Sequence, residues 1–286
     1  MIFVIISIIC SITVGILFKL AKRYKINVQQ AITWNYLTAI LLGYFFFKPV
    51  LSGLKFPASP TYYYLGILLP CIFWVLSKSV KNIGIAKTDI AQRLSLVIPL
   101  LASYFLFGES FSPLKITGLA LAFISIVLML SNKSSTDKKS MYSYPILVFI
   151  GFGTVDILFK QLASNTVVPY TISLLFVFCL AFIISTLATA YLIAFKKQKL
   201  ELINLLCGLI LGIFNFCNIL FYLKAHKALA GSPSVVFASM NIGVVVMGTL
   251  IGYYLFKERL NKINFVGVGL AIAAIIMITI AQFYAS

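Results

Sequence analysis

The stretch Thr13-Val14-Gly15-Ile16-Leu17-Phe18-Lys19 recurs later in the chain as Thr154-Val155-Asp156-Ile157-Leu158-Phe159-Lys160. Six of the seven residues are identical, and the copies are 141 residues apart. Each copy lies in an apolar run long enough to span a bilayer, and each ends in a lysine. Internal similarity at a fixed offset indicates a repeated structural unit. In an apolar chain it is typical of transporters built from two halves.

A second pair of matching stretches supports the duplication. Phe107-Gly108-Glu109, with Gly118 nine residues after the glutamate, matches Phe256-Lys257-Glu258, with Gly267 nine residues further on. The offset is now 149 residues, so the second half has gained eight residues between the two matching stretches.

The composition is that of a polytopic membrane protein. Of the 286 residues, 62% are hydrophobic and 10% are charged, and the mean hydropathy is +1.06. A soluble domain is about 45–50% apolar and 25% charged. The formal net charge of +17 does not indicate nucleic-acid binding, because the Lys and Arg residues lie between apolar runs, where they set membrane topology.

The chain is predicted to be an all-α integral membrane protein with ten transmembrane helices in two inverted five-helix repeats. Residues 1–131 form the first repeat, 132–142 a polar linker and 143–286 the second repeat. An odd number of helices per repeat makes the second copy enter the membrane from the opposite side. The ten apolar runs are roughly 2–21, 28–47, 62–84, 87–108, 112–131, 143–163, 168–194, 203–225, 232–256 and 262–284.

Charge counting predicts the orientation. The odd-numbered loops carry fifteen basic residues and the even-numbered loops carry five. The positive-inside rule then places the odd loops in the cytoplasm and both termini outside. We expect a multi-pass protein of the plasma (inner) membrane.

Small residues and acidic helix ends are assigned to structure rather than to chemistry. Small residues four apart let transmembrane helices approach closely. Glu109 and Glu258 lie at equivalent helix ends beside basic residues, which favours a structural role at the interface over a catalytic one. The small-residue pairs are Gly118 with Ala122, Gly208 with Gly212, Gly248 with Gly252, and Gly269 with Ala273.

Two stretches carry a resemblance to a known family. Residues 99–109 (PLLASYFLFGE) are followed by Gly118, and residues 252–260 (GYYLFKERL) are followed by Gly267 to Gly269. With these motifs once per half, the chain resembles the drug/metabolite transporter superfamily of the EamA type. The resemblance implies ten helices in two inverted repeats, a central cavity and transport of small metabolites, often export. The second copy has Gly248 where the first has Pro99, so a helix break at Pro99 need not be repeated.

Charged residues inside the helices are candidates for a transport pathway, because such groups are costly at membrane depth. Lys19 and Lys160 are related by the repeat, although each is near enough to a helix end to reach the interface. Asp156 lies in an otherwise apolar helix interior, where burial favours the protonated acid and allows proton exchange. It is therefore the candidate for proton coupling, and a structural ion pair with Lys160, four residues on, is the alternative.

The third and fourth helices offer a further polar cluster. Trp74, Lys78 and Lys81 share one helix face, and Gln92 and Arg93 lie on the next helix. Gln92 corresponds to Asn241 at the 149-residue offset, so the two halves present amides at related positions. Alternatively, Lys78 and Lys81 lie in a solvated loop.

The eighth helix carries a polar stripe. Asn215, Asn218 and Tyr222 are spaced three and four residues apart, so they share one face. They are predicted either to face a wet cavity or to hold helices together, and Trp34 and Asn35 on the second helix are weaker candidates for the same lining. His226, the single histidine, is expected at the membrane interface rather than in a proton relay.

These observations favour a secondary active transporter, an exporter of a small metabolite such as an amino acid or organic anion, working by alternating access with proton coupling. Alternatives are a lipid-phosphate flippase and a non-transporting membrane scaffold or sensor. No enzyme activity is expected, because no phosphate-binding loop, ATP motif or nucleophile–base pair occurs. No metal is expected, because the five cysteines show no CxxC or Cys/His spacing, and no cofactor or nucleic acid is expected either. The predicted partners are a small-molecule solute, the lipid bilayer and, as one option, a second copy of the chain.

Overall fold

The computed structural model of the protein describes residues 1–23, 26–49, 59–83, 85–130, 143–165, 168–256 and 262–285. This part of the chain is all-helical, and the predicted linker and Glu258 lie outside it. The helices are α1 (Ile2–Arg23), α2 (Val28–Phe47), α3 (Pro60–Ile83), α4 (Ile85–Leu94), α5 (Val97–Phe105), α6 (Pro113–Leu130), α7 (Ser143–Ser164), α8 (Tyr170–Lys196), α9 (Leu202–Ala228), α10 (Pro233–Phe256) and α11 (Lys262–Ala285).

The fourth predicted span is divided into α4 and α5 by a break at Ser95 and Leu96. Pro99 is the cause, because a proline lacks an N–H and its ring clashes with the carbonyl group four residues earlier, here that of Ser95. The corresponding helix α10 has Gly248 at this position and runs unbroken. The ten predicted spans are therefore present, one of them in two pieces.

Five of the described helices, α3, α7, α8, α9 and α10, contain a segment long and apolar enough to cross a membrane by composition alone. Shorter apolar stretches occur in α1, α6 and α11. Helix α2 is less apolar because it carries Gln30, Thr33, Asn35 and Thr38, but all four are buried within the protein. Its polar side chains therefore contact other helices.

The repeat is visible in the backbone. Lys48 and Lys197, 149 residues apart, end α2 and α8, and each adopts a left-handed conformation with φ of 44° and 51°. The eight extra residues of the second half fall before this point. One is in the loop before α8, and seven lengthen α8 to 27 residues against 20 in α2.

Contacts between the repeats occur in equivalent pairs. The helices of the second repeat, α7 to α11, correspond in order to α1, α2, α3, the pair α4 and α5, and α6 of the first repeat. When each helix is replaced by its counterpart, every contact named below becomes another observed contact. Helix α1 packs on α9 as α7 packs on α3, α2 packs on α9 as α8 packs on α3, and α1 packs on α10 as α7 packs on α4 and α5. The contacts α2 with α8, α5 with α10, and α6 with α11 each join equivalent helices.

The equivalent helices α2 and α8 run in opposite directions. Thr33, near the start of α2, bonds Ser185 and Thr189 late in α8, whereas Gly43, near the end of α2, lies against Leu175 early in α8. A copy that runs antiparallel to its original is an inverted copy. The two five-span repeats are therefore inverted, as the sequence predicts.

Close helix packing uses some of the predicted small residues. A Cβ atom added at Gly208 would lie 2.7 Å from the Ala31 carbonyl oxygen, and one at Gly212 would lie 2.8 Å from that of Asn35. The backbone of α9 therefore lies directly against α2 at these two glycines. Gly248 and Gly269 have no atom within 4 Å of an added Cβ, so the expectation of tight packing at these two positions is wrong.

Candidate functional site

A cavity of about 140 Å³ lies between the two repeats. Helices α1, α3 and α4 of the first repeat and α7, α9 and α10 of the second repeat contribute to it. The break after α4 places a helix end at this cavity, with Ser95 and the last-turn residue Arg93 in its wall. The lining residues are Ser11, Leu69, Ile72, Phe73, Gln92, Arg93, Ser95, Phe152, Val155, Asp156, Phe159, Asn215, Asn218, Ile219, Tyr222, Met240, Asn241 and Val244.

The Asp156 carboxylate is the acidic group in this wall. The Tyr222 hydroxyl donates a hydrogen bond to it at 2.9 Å. The Asn241 side chain forms a second hydrogen bond with it, and the Arg93 guanidinium attracts it electrostatically. Four helices, α4, α7, α9 and α10, therefore meet at one carboxylate, which couples both repeats through a single group.

Three asparagines in the wall are held by neighbouring helices. Asn215 donates from its side chain to Asn35 Oδ1 at 3.1 Å, and Ser7 donates to Asn218 Oδ1 at 2.7 Å. Asn241 also donates to the Phe237 carbonyl oxygen at 3.1 Å. These bonds fix the amide orientations, so that the remaining donors and acceptors face the cavity in defined directions.

Buried polar contacts between the repeats hold together the end of the protein that carries the α5–α6 and α9–α10 connections, which we call the closed end. Glu109, which is 5% exposed, forms an ion pair with Lys115. It also accepts hydrogen bonds from the Ser234 backbone N–H at 2.9 Å and the Ser234 hydroxyl at 2.7 Å. Ser234 lies in the first turn of α10, where unpaired N–H groups and the helix dipole favour a carboxylate. Glu109 thus joins the loop after α5 to α10.

Lys160 makes a second contact at the same end. Its ammonium group donates to the Ala230 carbonyl oxygen at 2.9 Å and lies 5.8 Å from the Phe107 ring centroid. Phe107 precedes α6, and Ala230 lies between α9 and α10. The Ala230 bond lies within the second repeat, whereas the Phe107 contact joins the two repeats. With Glu109–Ser234, two inter-repeat contacts therefore close this end of the molecule.

The structure brings seven of the predicted site residues to the cavity: Gln92, Arg93, Asp156, Asn215, Asn218, Tyr222 and Asn241. That they bind a solute stays a prediction. Asn35 lies behind the wall, bonded to Asn215. The side chains of Lys19 and Lys81 lie outside the described residues.

Four predicted lining residues lie elsewhere. Trp34 packs against Gly208 at the α2–α9 contact. Trp74 is 47% exposed, and the Lys78 ammonium lies 5.5 Å from its ring, so this pair faces outward from α3. Lys160 lies one turn beyond the cavity, at the closed end.

One further expectation is wrong. The alternative of an ion pair between Asp156 and Lys160 is replaced by the bonds from Tyr222 to Asp156 and from Lys160 to Ala230. The difference arises because α9 and the connection after it supply partners that spacing within one helix does not reveal. His226 lies in the last turn of α9 and is buried among neighbouring helices, with 1% of it exposed. Its place at the membrane interface stays a prediction.

The apolar part of the cavity wall was not predicted from the sequence. Phe152, Val155 and Phe159 lie on the face of α7 that carries Asp156, and Met240 and Val244 flank Asn241 on α10. Their helical spacing from a polar lining residue was the available signal. Apolar residues recur on every face of a membrane helix, so the spacing had little discriminating power.

The arrangement defines a class of protein. An inverted repeat with a polar cavity near the middle of its helices, beside a discontinuous helix, is the architecture of secondary transporters. Within the described residues, no group of three His, Cys, Asp or Glu side chains is arranged to hold a metal ion.

Comparisons with known proteins place the chain more narrowly. The EamA-like transporter family matches residues 1–131 and 139–280, and the chain belongs to this family. An uncharacterized protein of Haemophilus influenzae is 41% identical over an alignment of 285 positions, which covers 95% of this chain and 95% of that protein. One solved crystal structure superposes on 97% of this chain and 98% of its own length with a TM-score of 0.69. Its 16% sequence identity shows a shared fold alone.

Proposed function

We propose that the protein is a secondary active transporter of a small zwitterionic or anionic metabolite, such as an amino acid or organic acid. The supporting observation is the cavity of about 140 Å³ between the repeats, with a guanidinium and a carboxylate in its wall. A cavity of this kind, enclosed by helices of both repeats and lined by charged and amide groups, suits a small polar metabolite better than a lipid.

The charges in the wall support a zwitterion. The Arg93 guanidinium suits a carboxylate, with which it forms paired hydrogen bonds. Asp156 suits an ammonium group, and the amides of Asn215 and Asn218 supply uncharged donors and acceptors. A bound zwitterion can present its carboxylate to Arg93 and its ammonium group to Asp156, so it matches both charges in the wall.

Proton coupling through Asp156 follows from the same contacts. Protonation neutralises the carboxylate that attracts Arg93 and accepts the Tyr222 hydrogen bond. It thereby weakens the links among α4, α7 and α9 and removes the counter-ion of the solute ammonium. Exchange of a proton for the solute at Asp156 couples the two movements.

Alternating access requires the closed end to open. In this proposal the Glu109–Ser234 and Lys160–Phe107 contacts, which join the two repeats, form the outer gate. This end is placed outside because the even-numbered loops carry five of the basic residues against fifteen in the odd-numbered loops. The repeats rock about the cavity, and solute leaves across the plasma membrane when this gate separates. Export is the direction that we propose.

The proposal is tested in proteoliposomes with a panel of labelled amino acids, organic anions and organic cations. Wild-type protein is expected to move at least one zwitterion or anion, faster when an opposing proton gradient is imposed. Asp156→Asn is expected to remove the response to the gradient, and Glu201→Gln, at the exposed residue before α9, to retain it. Transport restricted to organic cations contradicts the proposed solute class. An unchanged gradient response in Asp156→Asn contradicts the coupling role.

A further inference from the structure

Lys160 and His226 lie together beyond the cavity wall. Lys160 follows Asp156 by one turn of α7, and His226 follows Tyr222 by one turn of α9. The Asp156–Tyr222 hydrogen bond and the electrostatic interaction between Lys160 and His226 show that the two helices are in register here. The second pair is therefore one layer, about 5.4 Å, closer to the closed end.

Both side chains have donors without matching acceptors. Lys160 is 3% exposed and carries three N–H donors, and its hydrogen bond goes to the Ala230 carbonyl oxygen. His226 is 1% exposed, with its ring 4.6 Å from Tyr222 and 4.8 Å from Phe237 between ring centroids. Neither of its ring nitrogens has a hydrogen-bond partner among the described residues. Buried polar groups are normally satisfied, so this histidine requires an explanation.

The neighbouring acid does not supply the acceptor. Glu109 attracts Lys160 electrostatically. Its carboxylate oxygens accept hydrogen bonds from Lys115 and from the N–H and hydroxyl groups of Ser234, whereas the hydrogen bond of Lys160 goes to Ala230. The cluster around Lys160 and His226 therefore combines a positive charge with unused donors, which is the chemistry that binds a carboxylate.

We propose that Lys160 and His226 form a second site for the carboxylate group of the transported solute, occupied when the outer gate is open. The rings of Phe159 and Tyr222, 6.2 Å apart and perpendicular, separate this site from the cavity in the present structure. When they move apart, the solute carboxylate passes from Arg93 to Lys160 and His226. The assignment rests on the proposed function, because it requires a solute that carries a carboxylate.

Acetate is the probe for this site, because it has a carboxylate and lacks the ammonium group that Asp156 would bind. Purified protein in nanodiscs is heated with increasing sodium acetate, at constant ionic strength made up with sodium chloride. At ten times the half-saturating concentration, wild-type protein is expected to unfold about 3 °C higher. Lys160→Met and His226→Phe are each expected to lose this shift. Lys227→Met, an exposed lysine one residue after His226, is expected to keep it.

Three results would overturn the second site. They are an absence of any acetate shift in wild-type protein, a shift that survives in both Lys160→Met and His226→Phe, and a shift that is lost in Arg93→Gln but kept in those two variants. If Lys160→Met does not fold, His226→Phe and the charge-preserving Lys160→Arg carry the test, with the shift expected to be lost and retained respectively.

The outcome is distinguishable from that of the proposed function. Acetate stabilisation that depends on Lys160 and His226, together with no amino-acid or anion flux, supports the site and rejects the transport proposal. Zwitterion flux with acetate stabilisation independent of both residues supports transport and rejects the site.

Discussion

Replacing Gly212 with alanine is expected to destabilise the contact between α2 and α9. The added Cβ would lie 2.5 Å from Thr38 Cβ and 2.8 Å from the Asn35 carbonyl oxygen, whereas ordinary contacts begin at 3.4 Å. Backbone and Cβ atoms cannot move aside by a rotamer change, so the helices must separate by about 0.6–0.9 Å. Overpacking of this kind costs about 1–3 kcal/mol.

Gly15 provides the matched control. It also lies within a helix, α1, but an added Cβ there meets no atom within 4 Å. Alanine is favoured over glycine in a helix by about 1 kcal/mol at either position, so this gain cancels when the two variants are compared. The difference between them is therefore the overpacking cost of about 1–3 kcal/mol.

Thermal unfolding in detergent measures this difference. Gly212→Ala is expected to unfold several degrees below Gly15→Ala, since 1 kcal/mol corresponds to about 2–4 °C in a domain of 150–250 residues. Zwitterion flux through Gly212→Ala should also fall, because Asn215 lies in the cavity wall less than one turn further along α9. Equal unfolding temperatures for the two variants would refute the close α2–α9 contact.

Two further substitutions probe the gate and the cavity. Glu109→Gln leaves the buried Lys115 ammonium without its counter-ion, so the free energy of unfolding should fall by about 3 kcal/mol. Adding Lys115→Met should restore most of the lost free energy of unfolding, and the exposed control Glu201→Gln should leave it unchanged. A Glu109→Gln protein as stable as the control would contradict a buried ion pair. Tyr222→Phe removes the hydroxyl that bonds Asp156, a loss of about 1.5 kcal/mol, and should reduce zwitterion flux about tenfold. Tyr191→Phe, on the exposed face of α8, should retain wild-type flux, and equal rates in both tyrosine variants would exclude a role for the bond.

The fold could be predicted from the sequence because the features that determine it are local. Membrane spans are apolar runs of fixed length, and the shared seven-residue stretch ending at Lys19 and Lys160 identified the two copies. The break at Pro99 also follows from one residue, since proline disrupts a helix wherever its neighbours lie. The sequence could not show that Gly248 and Gly269 face open space, because small residues four apart do not indicate whether another helix packs against them.

The site could be predicted only in part from the sequence, because it depends on contacts between helices. Polar residues on one face of α9 identified Asn215, Asn218 and Tyr222, since polar side chains in an apolar membrane helix face the protein interior or a wet cavity rather than lipid. Spacing within α7 suggested Lys160 as the partner of Asp156. The actual partner is Tyr222 of α9. A contact between helices that are distant in sequence cannot be predicted from residue spacing within one helix.

The central claim is that the two repeats separate at the outer gate during each transport cycle. The direct test uses Glu109→Cys with Ser234→Cys in protein that also carries Lys115→Met, which removes the buried lysine left without its counter-ion, and whose five native cysteines are replaced. The two thiols are bridged by a short bis-methanethiosulfonate reagent, which forms a reducible disulfide with each of them. These residues join the repeats in the closed state, with the Glu109 carboxylate bonded to Ser234. Bridged protein is expected to transport no faster than empty liposomes and to recover its flux after reduction. Full transport by the bridged protein would contradict alternating access at this gate.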